Sequence, residues 1–366
     1  MVKPVRKSSN KNPPILSHEY IIQNHADIVS CVAMVFVVGL MVQATSPIAS
    51  LFITLQHNVT EAGEVIFYPT AKDWGCVFFY CLICIIVHAV IQEYFIDKVT
   101  KKLHLSKSKL AIFTTSGHLS IFYFASAALG LDIVVKENLL FDVAKLWTDY
   151  PAPMLMLAKA YIIAQLAYNL HEIPELYFQK AKKEEYFGKT VQSIAAIGLI
   201  YVPYVLNFHR LLVFLLVLHH VSEFFYHIAQ LIQTVDKDEK YSKGTKLISN
   251  VLQLLARLGS IILAVLTLWY GLALGEQREL DIQAGYYNTP IVRLVVLSGI
   301  LGLQMYLTFN VIHQELARSR ENKDAVVAKP KSQKKDKTKK SKKSEESDLP
   351  EVDQNTNKTL KKQKVK

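Results

Sequence analysis

FHRLLVFLLVLHHVSEFFYHIAQLI, Phe208–Ile232, is long enough to cross a bilayer, yet it carries His209, Arg210, His219, His220, Glu223 and His227. A spanning helix needs about 20 mostly apolar residues. Leu211 to Leu218 and the aromatics after them supply that length. An ionisable group at mid-bilayer costs about 3 kcal/mol on insertion scales. Several on one helix need a polar partner, water or a ligand. The stretch points to a multi-span membrane protein with a polar site inside the membrane.

The rest of the chain agrees. Of 366 residues, 51% are apolar, and mean hydropathy is positive, as membrane proteins require. The apolar runs predict an all-α, polytopic protein of about eight spans. They are Ile28–Val42, Trp74–Ile91, Leu119–Val135, Met154–Ile173, Val191–Leu206, Leu211–Ile232, Leu247–Leu274 and Ile291–Ile312. Pro203 is expected to kink the fifth. Pro47, Pro151, Pro153 and Pro290 sit at span edges, where proline is harmless.

Lysine and arginine alternate between loops. Lys3, Arg6, Lys7 and Lys11 open the chain, and Lys98, Lys101, Lys102, Lys107 and Lys109 form the next basic segment. Lys180, Lys182, Lys183 and Lys189 follow, then Lys237, Lys240, Lys243 and Lys246, then a lysine-dense tail. The intervening loops hold only Lys72, then Lys136 and Lys145, then Arg278. By the positive-inside rule this predicts an even number of spans with both termini cytosolic. The net charge of +11 is thus a topology signal. Anionic lipid head groups are the natural partner of these lysines, and nucleic acid is not expected.

The first run is read as a retained span, because the polar stretch before it exceeds a usual signal-peptide n-region. The luminal loop after it holds the sequon Asn58-Val59-Thr60, making Asn58 a candidate glycan site. Asn357-Lys358-Thr359 is a second sequon, on the cytosolic side, where it should be silent. Past Arg318 the apolar periodicity stops, and 321–366 is expected to be a disordered basic cytosolic tail. Lys362 and Lys364, five and three residues from the end, match a dilysine endoplasmic-reticulum retrieval signal; a chance match in a lysine-rich tail is the alternative. Cys31, Cys76, Cys81 and Cys84 all fall in predicted spans; Cys81 and Cys84 have Cys-x-x-Cys spacing, but inside an apolar helix, which suits buried packing thiols rather than a zinc site or redox pair.

His219, Glu223 and His227 are four residues apart and share a helical face, with His220 offset by about 100 degrees. Imidazoles and a carboxylate so placed could line a polar cavity, bind a ligand, hold a metal or act in acid–base chemistry. The His-Glu-x-x-His order of a zinc helix is absent, and neither a metal, a cofactor nor a catalytic residue is assigned. Asp132 and Arg257 are expected deep in their spans and join the cavity candidates; Arg257 and Glu223 attract each other on charge. Lys159 and Arg293 lie near span ends, where long side chains snorkel to the interface; that reading is favoured for Arg293. His88 lies in the second span, and His171 and Glu172 close the fourth.

Several segments resemble the translocating chain-associated membrane proteins. They are Asn12 to Glu19, Gln23 to Cys31, His88 to Tyr94, Gln165 to His171 and Pro174 to Lys180, continuing through Leu218-His219 and Glu223-Phe224 to the basic tail. The resemblance covers essentially the whole chain. It implies an endoplasmic-reticulum membrane protein beside the Sec translocon, contacting nascent secretory and membrane chains and their signal sequences, and a TLC domain over 117–320. Residues 1–116 would then hold the cytosolic N-terminus, two spans and the glycosylated luminal loop.

TLC domains are shared with ceramide synthases, which carry a His-His pair on one helix and His-Asp-x-x-Asp on the next. Matching Tyr204, Asn207 and Arg210 to that pattern puts the His pair near Gln192 and Ser193. The second motif reads His219-His220-Val-Ser-Glu223. The resemblance thus implies a shared scaffold with a broken catalytic set, since acyl transfer needs a positioned base. A lipid-binding pocket would be compatible with it.

Overall fold

The computed structural model describes Pro14 and residues 17–61, 63–236, 240–275, 280–282 and 284–327, with side chains to Arg320 apart from Glu61. It is a helical membrane protein. Helices α1 (His18–Gln23), α2 (His25–Met41) and α3 (Ser46–Ile53) come first, followed by strands β1 (Asn58–Glu61) and β2 (Glu64–Phe67). Then come α4 (Asp73–Ile91), α5 (Asp97–Leu103), α6 (Lys107–Lys136), strand β3 (Met154–Leu155), α7 (Met156–Phe178) and α8 (Lys183–Val205). Helices α9 (His209–Val235), α10 (Ser242–Ala264) and α11 (Pro290–Val327) complete the order.

A helix lies over each of the eight expected spans. Five segments are long and apolar enough to cross a membrane: Asp73–Leu103, Lys107–Lys136, His209–Val235, Ser242–Gly275 and Pro290–Arg320. His25–Met41 is apolar but shorter. Helices α7 and α8 have 23 residues each, about 35 Å at 1.5 Å per residue, but are more polar. On α7 the polar side chains Lys159, Gln165, His171 and Glu175 are buried, so the surrounding helices, rather than lipid, receive them. The second span outruns its apolar run because the helix continues through a π-helical turn at Gln92–Ile96 into α5; a further π-helical turn, Val265–Gly271, lies within the seventh. Helix α7 also runs past Pro174 to Phe178, beyond the expected end at Ile173.

Between the helices a small antiparallel sheet, ordered β1-β2-β3, pairs Asn58 with Phe67 and Ile66 with Leu155. From the sequence this region reads as loop, with the fourth span starting at Met154; β3 takes the first two residues of that span. Strands of two to four residues are too short to show a period of two.

The lysine-poor loops gather at one end of the bundle. Lys159 Nζ at the start of α7 donates to the Gln56 and Tyr68 carbonyls, 2.6 and 2.8 Å away. Tyr150 Oη donates to the Leu206 carbonyl at 2.7 Å and accepts from the Tyr287 amide at 3.2 Å. Burial pushes this phenol above its ordinary pKa, which keeps it a donor. Asn207 Nδ2 donates to the Gly285 carbonyl at 2.8 Å. Lys109, in the first turn of α6 beside a lysine-rich segment, instead donates to the carbonyl of Thr234 at the far end of α9.

The main apolar cluster joins α4, α6, α7, α8 and α9 through residues such as Cys76, Val134, Ile162, Tyr204 and Val213. Helices α9, α10 and α11 share a second cluster around Leu211, Leu268 and Val296. Lipid is as apolar as leucine, so close packing, not water exclusion, holds such helices together. Gly130 on α6 illustrates it: a Cβ there would stand 2.6 Å from Val217 and 2.9 Å from the Tyr161 hydroxyl.

All four cysteines are free; Cys76 and Cys81 are buried, Cys84 is half-buried, and Cys31 is exposed on α2. The chain forms two compact units, Met1–Gln314 and Glu315–Lys366. Of the second, only the end of α11 is described, helical to Val327 and so inside the stretch expected as tail. Lys362, Lys364 and the Asn357 sequon lie outside the described residues.

Candidate functional site

Arg257 organises the polar site. The residue is 2% exposed on α10, and its guanidinium reaches the polar face of α9. Nη2 donates to Glu223 Oε1 at 2.8 Å, and both Nη1 and Nη2 stand 3.1 Å from His219 Nδ1. A guanidinium has donors only. Nδ1 of His219 therefore carries the lone pair, and the ring is neutral with its proton on Nε2. Nη2 and Nη1 also approach Ser222 Oγ at 3.4 Å and Gln304 Oε1 of α11 at 3.5 Å. Gln253, one turn before Arg257, donates to Glu223 as well. One arginine thus ties α9, α10 and α11 together.

Tyr123 of α6 faces this group from the other side. Its ring centroid is 5.9, 5.6 and 5.5 Å from those of His219, His220 and His227, and it stacks nearly parallel on His227. His220 is 3% exposed, and its Nδ1 lies 3.0 Å from the Tyr161 hydroxyl of α7. His219, His220, Glu223, His227 and Arg257 therefore do form one polar group inside the bundle.

Asp132 does not join it. Its side chain is 45% exposed and pairs at 2.7 Å with Lys136, one turn on. A charge at i+4 on an outward face satisfies it without burial. Lys159 and Arg293 depart the opposite way. Lys159 is fully buried and sits 2.9 Å from Asp73 Oδ1, and Arg293 is 7% exposed; neither snorkels.

Tyr123, Tyr161, Gln253 and Gln304 were missed because tyrosine and glutamine are ordinary in spans. Only Gln253, four residues before Arg257 on one face, offered a signal. Another polar group lies between α4, α6 and α7. His88 stacks on His118 with centroids 3.8 Å apart, meets His171 at 3.5 Å and approaches Glu175 at 3.3 Å. Among the described residues no group of three or more His, Cys, Asp or Glu side chains is arranged to hold a metal ion.

At the positions matched to the synthase His pair, Gln192 is exposed and Ser193 buried on α8. Ser193 Oγ donates to Glu172 Oε2 at 2.9 Å. A serine hydroxyl held on a carboxylate does not supply an imidazole's proton chemistry at neutral pH.

A bundle of membrane helices with buried ionic groups on α9 and α10 defines the class, and known proteins narrow it. The TLC domain family model matches residues 112–313. Human translocating chain-associated membrane protein 2 is 39% identical over 319 residues, 85% of each chain. Its mouse counterpart is 38% identical over the same share. Ceramide synthase FUM18 of Gibberella moniliformis is 23% identical over 200 residues, 54% of this chain and 46% of that one. The chain belongs to the translocating chain-associated membrane protein family, whose members carry a TLC domain, and is a multi-pass membrane protein.

Proposed function

We propose that this protein is a non-enzymatic accessory of the Sec translocon in the endoplasmic-reticulum membrane, with both termini cytosolic. It contacts nascent secretory and membrane polypeptides through their signal sequences and assists their translocation or insertion. Family membership supports the setting. The observation that carries the non-enzymatic reading is the Arg257 cluster. His219 and Glu223, the residues nearest to an acid–base pair, are both committed to one guanidinium. A group held this way is a poor proton acceptor, because taking a proton means giving up a buried charge-assisted bond.

The intramembrane polar group would act by offering a hydrated or polar surface at the lipid boundary, lowering the cost of placing a weakly apolar signal there. The test is site-specific crosslinking in microsomes, from a photoreactive residue in an inserting signal sequence to this protein. Adducts that form while the signal is engaged support the reading; their absence across a series of signals overturns it.

The TLC match and the 23% similarity to a ceramide synthase favour a second reading, a lipid-binding or lipid-modifying protein. Purified protein given acyl-coenzyme A and a sphingoid base separates the two. Product formation abolished by His219→Ala would establish the second.

A further inference from the structure

The first turns of α8 carry a feature that the translocon reading does not use. Lys183, Tyr186, Phe187 and Thr190 line a shallow depression of about 410 Å³. Their spacing, i, i+3, i+4 and i+7, puts them on one helical face. Phe187 is 78% exposed, and the apolar surface continues with Val191 and Ile194. Thr190 Oγ1 in the same wall is buried without a hydrogen-bond partner among the described residues.

The charge around the depression is unbalanced. Four lysines, Lys180, Lys182, Lys183 and Lys189, stand against two acidic residues, Glu184 and Glu185, in this stretch of sequence. Lys189 is taken by Glu185 at 3.3 Å. Lys180, Lys182 and Lys183 are exposed and make no ion pair among the described residues. Cationic side chains, an aromatic ring and then aliphatic residues therefore succeed one another along one face of a helix entering the membrane. A free anion would use only the first part of that sequence. An acyl chain would use only the last.

We propose that this face of α8 binds an anionic phospholipid, with Lys182 and Lys183 on the phosphate-bearing head group and the acyl chains along Phe187, Val191 and Ile194. The inference rests on the membrane reading of the chain, not on the translocon role. Lysines at an anionic membrane surface act roughly additively, about fivefold in affinity each.

The full chain is reconstituted in phosphatidylcholine nanodiscs containing a minor fraction of phosphatidylserine, extracted gently, and its retained lipid is identified by native mass spectrometry. Wild type should retain phosphatidylserine in preference to phosphatidylcholine. Lys182→Gln/Lys183→Gln should lose that preference by more than tenfold, and Phe187→Ser should weaken retention of both lipids while keeping the preference. Lys182→Arg/Lys183→Arg, which keeps both charges, should preserve it and reports on folding. Lys101→Gln/Lys102→Gln removes two exposed lysines from the short helix α5 and should leave it intact. Equal loss in that variant would mean diffuse attraction and overturn the proposal. So would a lack of enrichment in wild type, or displacement of the lipid by inorganic phosphate, which would mark a simple anion site.

Discussion

Lys159 on α7 and Asp73 at the start of α4 form an ion pair of 2.9 Å that is shut off from solvent, with side chains 0% and 2% exposed. Each partner is also occupied elsewhere. Lys159 donates to the Gln56 and Tyr68 carbonyls. Asp73 Oδ2 accepts from the Tyr204 hydroxyl at 2.6 Å and the Thr70 amide at 2.8 Å. The pair thus fastens the β1–β2 region, with Asn58, to α4, α7 and α8. Lys159→Met strands a buried carboxylate and should cost about 3–5 kcal/mol. Asp73→Asn/Lys159→Met removes both charges and should recover part of it. Thermal unfolding of the purified variants is the check; an unchanged midpoint in Lys159→Met would contradict the buried pair.

Asn58 is the first residue of an edge strand, and Asn58, Val59 and Thr60 are all exposed. An acceptor so placed is open to a large glycan. Asn58→Gln should abolish an endoglycosidase-sensitive mobility shift in cells. A wild-type protein with no such shift would count against the luminal assignment of this loop.

Gly130 lets α6 approach α9 and α7. Gly130→Ala places a methyl group 2.6 Å from Val217 Cγ2, and overpacking of this kind costs about 1–3 kcal/mol. Val217→Ala should relieve the clash, so the double variant should be more stable than Gly130→Ala alone. Strictly additive losses measured by thermal unfolding would refute the contact.

How far the sequence could be read follows from what each signal encodes. Length and hydropathy placed the helices, because crossing lipid imposes both. Alternating lysines anticipated which loops gather together, as the Lys159, Tyr150 and Asn207 bonds at one end illustrate. The attraction of Arg257 for Glu223 was legible as charge. Their meeting, and the service of the same guanidinium to His219, depends on the rotation of α10 about its axis, which no single helix records. Asp132 and Lys159 show the same limit in opposite directions. Hydropathy gave each a depth, but only the neighbouring helices decide whether a side chain faces lipid or a partner. The π-helical turns and strands of two to four residues leave no periodic trace at all.

The Arg257 cluster also determines how the mechanism must be tested. If His219 and Glu223 line a surface that helps weak signals enter, replacing both with leucine should narrow the range of accepted clients. That double variant, however, removes two acceptors from the guanidinium of a buried arginine. Losing one side of a buried ion pair costs about 3–5 kcal/mol, enough to confuse a folding defect with a mechanistic one. The triple variant His219→Leu/Glu223→Leu/Arg257→Met removes the charge on both sides and leaves a more apolar pair of helices. We expect the double variant to be poorly expressed and the triple to be restored. In reconstituted translocation with signals of graded hydrophobicity, the triple should fail selectively on short or weakly apolar signals. Strongly apolar signals partition into lipid unaided and should be little affected. An equal loss for every signal would indicate damaged docking to the channel. Unchanged translocation throughout, from a well-folded triple variant, would reduce the cluster to interhelical packing.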